Sequence, residues 1–181
     1  MEIKETYRNL SRKELLETAY NLGANFEKNS RSCSQCVVAS MHEILGFEDI
    51  LVKVATSSCG GQVRRVEGTC GALIGGTMVL DYYFGRPADK LSAEVRNQEN
   101  VNLISKAISV AELLADKIEK EYGTILCPGI HVDLFGRAFH FKNPQEGELF
   151  EQAGAHSDPT KCMSVVGNAA KWTMEILLNR D

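Results

Sequence analysis

Apolar residues recur three and four positions apart along almost the whole of this 181-residue chain, the spacing that lines up one face of an α-helix. Ser11-Arg12-Lys13-Glu14 has capping-box spacing and precedes Leu15, Leu16, Ala19, Tyr20, Gly23 and Phe26 at helical intervals. A second stripe runs Cys33, Cys36, Val37, Ser40, Met41, Ile44, Leu45 and stops at Gly46. A short helix is expected over 48–57, a glycine-containing one over 70–84 and the longest over about 91–122. Residues 133–141 and 146–153 read as short helical turns, whereas 123–131 and 142–147 are the least regular stretches. The last helix is expected to start near Asp158-Pro159 and to carry Cys162, Val165, Val166, Ala169, Trp172, Thr173, Ile176 and Leu177. Alternating runs of β-branched and aromatic residues are missing, so strands have no support. The expectation is an all-α fold, a single-domain helical bundle over residues 1–181.

Composition narrows the function. Hydrophobic residues make up 44% of the chain and only 4 are proline, enough apolar surface to build a core and too much for disorder. The 20 Lys+Arg against 24 Asp+Glu give a net charge of −4, and the longest basic cluster is Arg64-Arg65. A nucleic-acid partner is therefore not expected, because phosphates demand a basic face. No apolar run approaches a membrane span, and the opening Met1-Glu2-Ile3-Lys4-Glu5-Thr6 lacks the apolar core of a secretory signal. The expected setting is the cytoplasm, with no membrane contact.

The six cysteines, at 33, 36, 59, 70, 127 and 162, are the unusual feature. They are too few for a disulfide scaffold, and in a reducing compartment they read as packed thiols, metal ligands or redox groups. Cys33 follows the cap-rich Asn29-Ser30-Arg31-Ser32, so it belongs in the first turn of its helix. Cys70 follows Thr69, a natural N-cap, and Cys162 lies four residues past Asp158. Cys127 precedes Pro128, which disfavours α-conformation there and suits a turn opening. Thiols near helix N-termini sit where unpaired N–H groups stabilise negative charge, so a depressed pKa is expected of them, and the thiolate is the form that attacks disulfides and binds metal. Inert packing is the bland alternative for any single cysteine.

Other patterns are weaker. Cys33-Ser34-Gln35-Cys36 has redox spacing but no βαβ frame around it, and neither a second Cys-x-x-Cys for a zinc ribbon nor ferredoxin spacing is present. The glycines of Cys59-Gly60-Gly61 and of Cys70-Gly71-Ala72-Leu73-Ile74-Gly75-Gly76 do not make a phosphate loop, because no Gly-Lys-Ser/Thr follows. Within a helix they remove bulk, so that another backbone or a cluster can approach closely. His131, four residues after Cys127, is a weak ligand candidate; His42 reads as a surface or core-edge residue. Arg31, Arg64, Arg65 and Lys161 lie near expected thiols, though solvated charge is the plainer reading of each.

The series Cys33-Ser34-Gln35, Gly68-Thr69-Cys70-Gly71-Ala72-Leu73-Ile74-Gly75, Cys127 and Cys162 resembles the C_GCAxxG_C_C family, described as redox-active proteins. Met78-Val79-Leu80 and Phe84-Gly85-Arg86 also resemble it. The resemblance implies a helical fold and a thiol or iron–sulfur role, with Cys33, Cys70, Cys127 and Cys162 as signature positions. A related domain stands beside an iron–sulfur centre in some multihaem cytochromes, which supports a cluster by analogy. The chain departs from the literal signature, since Gly71 separates Cys70 from Ala72, and Cys36 and Cys59 are extra. The resulting expectation is that Cys33, Cys70, Cys127 and Cys162, joined by Cys36 and Cys59, gather to bind an iron–sulfur cluster or to cycle between dithiol and disulfide, with a thiol such as Cys33 attacking and a neighbour such as Cys36, at i+3 on the same helix face, resolving. Its electron partner would be a protein or a small thiol or disulfide, and the sequence leaves the oligomeric state open. The alternative is a non-enzymatic helical module whose cysteines hold structural zinc or merely pack; a thiol enzyme without a substrate signature ranks last.

Overall fold

The computed structural model describes residues 1–95 and 97–180. Among them are eight α-helices and no strand: α1 Arg12–Ser30, α2 Cys33–Leu45, α3 Ile50–Val54, α4 Gly71–Phe84, α5 Gln98–Tyr122, α6 Cys127–Phe135, α7 Pro144–Gln152 and α8 Cys162–Leu178. The all-α expectation holds. The Ser11 capping box forms as read, with its side chain accepting from Glu14 N–H and the Glu14 carboxylate accepting from Ser11 N–H at 2.7 Å. Gly46 ends α2 in the left-handed conformation at φ +68°.

Several boundaries move, among them the expected turn over 133–141, where α6 already ends at Phe135, and the irregular stretch 142–147, where α7 begins at Pro144. The long helix begins at Gln98 rather than near 91, because the Asn97 side chain accepts from Glu99 N–H and caps it there; Leu91 and Val95 are left exposed, and Arg96 of the expected range lies outside the described residues. α3 is only five residues long instead of spanning 48–57. The stretch 123–131 contains the start of a helix, because α6 begins at Cys127 with Pro128 in its first turn, where the missing N–H costs nothing. The final helix starts at Cys162, four residues later than expected.

Packing follows the small residues. α1 lies along α8, where a Cβ on Gly23 would stand 2.9 Å from Val166 O and one on Gly167 2.9 Å from the Tyr20 ring. α4 is central, touching α2, α5 and α8. A Cβ on Gly75 would collide with Ser34 O and reach 3.0 Å from its Cα; one on Gly76 would meet Leu114 of α5 and Thr173 of α8. The α4 glycines thus answer a close helix contact. Around them Val37, Met41, Ile44, Leu80, Leu114, Ile118 and Met174 are fully buried, each worth about 1.5–3 kcal/mol of apolar transfer. Buried hydroxyls are satisfied locally, with Ser40 donating to Val37 O and Thr173 to Ala169 O, while Ser34 donates to Ala55 O at 2.7 Å. A second, smaller core of Phe139, Phe150 and Ala155, with Phe135, Phe141 and Cys162 against it, covers the ends of α6 and α7. No described helix is long and apolar enough to cross a membrane.

The glycines separate two kinds of constraint. Gly75→Ala forces backbone against backbone and is expected to lower unfolding free energy by about 3 kcal/mol, read as a shifted urea midpoint. Gly136→Ala meets nothing within 4 Å and is strained only by its φ of +75°, so it should cost about 1–2 kcal/mol. Equal losses would mean that the α2–α4 contact yields easily.

Candidate functional site

Four cysteines stand at four helix starts. Cys33, Cys127 and Cys162 are the first residues of α2, α6 and α8, and Cys70 is itself the N-cap of α4, displacing Thr69 from that expected role. None of these starts has a side-chain cap, so their first N–H groups remain available to a negative charge.

The backbone brings them together in three steps. Between α1 and α2 the chain reverses through Arg31 at φ 61°, ψ −176°, a region almost reserved for glycine, and Ser32 at φ 71°. Ser32 Oγ donates to Thr56 O and anchors the turn. The segments before α4 and α6 then pair through an isolated antiparallel bridge, Thr69 with Leu126. Cys70 N–H donates to Ile125 O and Cys127 N–H to Gly68 O, both at 2.9 Å, which sets these two cysteines beside each other. Finally, the Lys161 ammonium donates to Leu134 O and ties the start of α8 to the end of α6.

The fifth thiol comes from a strained loop. Gly60, Gly61, Gln62, Val63, Arg64 and Val66 all have φ between 45° and 67°, and a left-handed valine is a genuine outlier. Arg64 N–H donates to Cys59 O at 3.0 Å and Val66 N–H to Gly60 O at 2.9 Å, holding the turn closed. A Cβ on Gly61 would lie 2.8 Å from Val66 Cα and 2.9 Å from Cys127 Cβ, so only glycine fits there.

The result is a cavity of about 260 Å³ lined by the thiols of Cys33, Cys59, Cys70, Cys127 and Cys162. Cys36 is not in its wall; it is buried one turn along α2 and its Sγ donates to Arg31 O at 2.9 Å. All six cysteines are free. Among the described residues, no three His, Cys, Asp or Glu side chains are grouped as the ligands of one metal ion would be. Cys33 lies against Cys70, with its sulfur packed where a Cβ on Gly71 would stand.

Charge is balanced against burial here. The hydrogen bond to Cys70, then burial, pushes the Cys33 thiol well up, although Gly60 N–H donates to it and works the other way. Burial pushes Cys127 up to about 12 and also raises Cys36 and Cys162. Cys33, Cys127 and Cys162 are therefore held as thiols, the reverse of the lowered pKa expected of cysteines at helix starts, because the Cys70 hydrogen bond at Cys33, and burial at all three, outweigh the N–H groups.

Two further groups line the wall. His131 places Nε2 3.6 Å from Cys127 Sγ, so the i, i+4 relation noticed in the sequence becomes a contact. Its ring stacks on Phe150 at 4.9 Å and meets the edges of Phe135, Phe139 and Phe141; its Nδ1 is buried without a partner. Burial lowers its pKa to about 4. The second group is a chain of charges. Arg31 pairs with Glu151 at 3.2 Å, Glu151 holds His156 Nδ1 at 2.9 Å, and His156 Nε2 is 3.4 Å from Glu27 Oε1. Glu27 is 3% exposed and its Oε2 has no partner. Burial acts to lower the His156 pKa, but hydrogen bonds and charge from Glu27 and Glu151 outweigh it and raise it.

Sequence reasoning missed this chain. Glu27 continues the Leu15, Ala19, Gly23 face of α1 at a four-residue step, and a carboxylate on a buried stripe was the available signal. Of the basic residues singled out, Arg31 and Arg64 reach the cavity, with Arg64 over the Phe141 ring at 5.0 Å, whereas Arg65 is exposed. His42 meets the Phe47 ring, 5.5 Å away at the far end of α2, and His140 is exposed.

His131 carries a pH test. An imidazole whose pKa is lower folded than unfolded supports stability above pH 6.5 and withdraws it as pH falls toward 4. Wild-type protein should lose roughly 3 kcal/mol more between pH 7 and pH 4 than His131→Phe, measured by urea unfolding at each pH. The same loss in both proteins would show that His131 is not held neutral.

Comparison with known proteins bears on the same residues. A family model described as "Putative redox-active protein (C_GCAxxG_C_C)" matches residues 31–176, a span that holds all six cysteines. Searches of curated proteins and of solved structures return no match to the chain.

Proposed function

Since the chain belongs to the C_GCAxxG_C_C family of redox-active proteins, we propose that its thiol-lined cavity is a redox centre in which Cys33 and Cys70 pass between two thiols and one disulfide. The contact between Cys33 and Cys70 over the bare face of Gly71 carries this reading. The partner is a small or protein disulfide. Cys33, once deprotonated, attacks one sulfur of that disulfide; the external S–S bond breaks and the first thiol leaves with a proton. Cys70 then loses its proton and attacks the Cys33 sulfur of the mixed disulfide, releasing the second thiol. Two protein thiols are oxidised, one external disulfide is reduced to two thiols, and the two protons end on the released thiols. Run backwards, the same step reduces the protein.

A second reading is favoured by a different observation. Four uncapped helix starts, each with a cysteine, surround one cavity, which suits the negative charge of an iron–sulfur cluster held by Cys33, Cys70, Cys127 and Cys162, with Cys59 beside them. The donor set fits, being all thiol and supplied by separate segments, and a bound cluster would supply one-electron transfer. Structural zinc has less support, since no residue group is arranged around a single ion.

One preparation separates the readings. Anaerobically purified protein treated with 2-hydroxyethyl disulfide should lose two thiols, and peptide mapping should find Cys33 linked to Cys70. Cys33→Ser and Cys70→Ser should each prevent the link, and Cys36→Ser should not. A link elsewhere would overturn the assignment. Iron and sulfide in equal amounts with visible absorption, both lost in Cys127→Ser, would select the cluster.

A further inference from the structure

Which disulfide the cavity takes depends on the charges of its wall. Besides the thiols and His131, the ionisable side chains that line it are Glu27, Glu151, Arg31, Arg64 and His156. All but Arg64 answer one another. Arg31 pairs with Glu151 at 3.2 Å, and His156 stands between Glu151, 2.9 Å from its Nδ1, and Glu27, 3.4 Å from its Nε2. Among the described residues the Arg64 guanidinium has no ion pair and no hydrogen bond; it lies over the Phe141 ring at 5.0 Å. One positive charge of the wall is therefore left without a counter-charge.

The strained loop fixes where that charge stands. Arg64 has φ 58°, and its N–H donates to Cys59 O at 3.0 Å. A Cβ on Gly60 would stand 3.0 Å from Arg64 Cα, and Gly60 N–H donates to the Cys33 sulfur, so only Gly60 separates the arginine backbone from the attacking thiol. At its other end the side chain places Nη2 4.0 Å from where a Cβ on Gly147 of α7 would be. Arg64 thus reaches from the Cys59 loop to α7 along the cavity rim, with its flat face on Phe141. Stacking of this kind holds a guanidinium in place and leaves its N–H edge for a planar anion such as a carboxylate. The cavity, about 260 Å³, is smaller than the roughly 300–1,000 Å³ of pockets that enclose drug-sized ligands, so its occupant is a small molecule. We propose that the cavity takes small disulfides carrying a carboxylate a few bonds from the sulfur, with Arg64 binding the carboxylate while the sulfur faces Cys33. This rests on the disulfide-exchange reading above. Two protein thiols become the Cys33–Cys70 disulfide, the S–S bond of the substrate breaks, and its two halves leave as carboxylate-bearing thiols with both protons.

Disulfides of nearly equal size separate charge from shape: 3,3′-dithiodipropionate carries carboxylates, 2-hydroxyethyl disulfide is neutral and cystamine carries ammonium groups. The rate of the Cys33–Cys70 link is followed by peptide mapping and divided by each disulfide's rate with free 2-mercaptoethanol. It should be about tenfold higher for dithiodipropionate than for 2-hydroxyethyl disulfide, and lowest for cystamine. The preference should shrink as salt is raised. Arg64→Gln should bring the first two rates together, and Arg64→Lys, which keeps the charge but not the planar fork, should retain part of the difference. Arg65→Gln, an exposed side chain outside the wall, should retain all of it. Circular dichroism confirms that each variant folds. Suberate, the carbon isostere of dithiodipropionate, has no sulfur to exchange; calorimetric titration should show it binding wild type and binding Arg64→Gln about tenfold more weakly. Equal normalised rates, a cystamine rate above the others as entry governed by Glu27 and Glu151 would give, or suberate binding that is absent or unchanged in Arg64→Gln, would overturn the proposal. Suberate bound through Arg64 with no Cys33–Cys70 link from any disulfide would overturn the exchange reading and support the carboxylate site alone.

Discussion

The close approach of α4 to α2 is the contact on which the site depends. Gly75 lets the α4 backbone rest on the Ser34 carbonyl, and one turn earlier Gly71 leaves room for the Cys33 sulfur beside Cys70. A side chain at either position would move apart the two helix starts that face the cavity. The cost of glycine within a helix, about 0.5–1 kcal/mol each, is offset by packing that no larger residue permits. The Thr69–Leu126 bridge extends this arrangement to α6 by fixing Cys127 against the residue before α4. Cys162 is brought in from the other end of the chain by α8, which is itself held along α1 through Gly23 and Gly167.

Much of this could be read in the sequence, for a definable reason. Helical period, the Ser11 capping box and the Gly46 stop are local features whose energetics act within one or two turns, and they appear where the residues put them. The position of thiols near helix starts was likewise local. The readings that moved were those in which two local signals competed. Pro128 disfavours α-conformation at Cys127 yet is well placed in a first helical turn, and the second effect prevails. Asp158-Pro159 looked like a helix start, but Asp158 spends its side chain on Thr160, accepting from its N–H at 2.8 Å and from its hydroxyl at 2.7 Å, and the helix waits until Cys162.

The remainder was beyond local reading. Nothing in Gly60-Gly61-Gln62-Val63-Arg64 announces a left-handed run, because it is held by Val63 N–H donating to Ser57 O, Arg64 N–H to Cys59 O and Arg65 N–H to Gln62 O, and by the close approach of Gly61 to Cys127. Such strain, about 1–2 kcal/mol for each non-glycine residue, persists only where the surroundings over-determine it. It delivers Cys59 and Arg64 to the cavity wall. The Glu27–His156–Glu151 line joins residues more than a hundred positions apart, so only the folded chain reveals it, although a glutamate on a buried helix face was a visible anomaly.

Two influences on the thiols oppose each other, and the opposition itself is informative. Helix N-termini and the Gly60 N–H favour thiolates, while burial and the Glu27 charge favour thiols. With N–H groups alone, the cavity would hold permanent thiolates, readily oxidised and unable to return a proton to a partner. Burial alone would leave inert core cysteines of the kind that fill space in many bundles. A sulfur that must alternate between the two forms needs its protonated state favoured at rest and its charged state sheltered once formed.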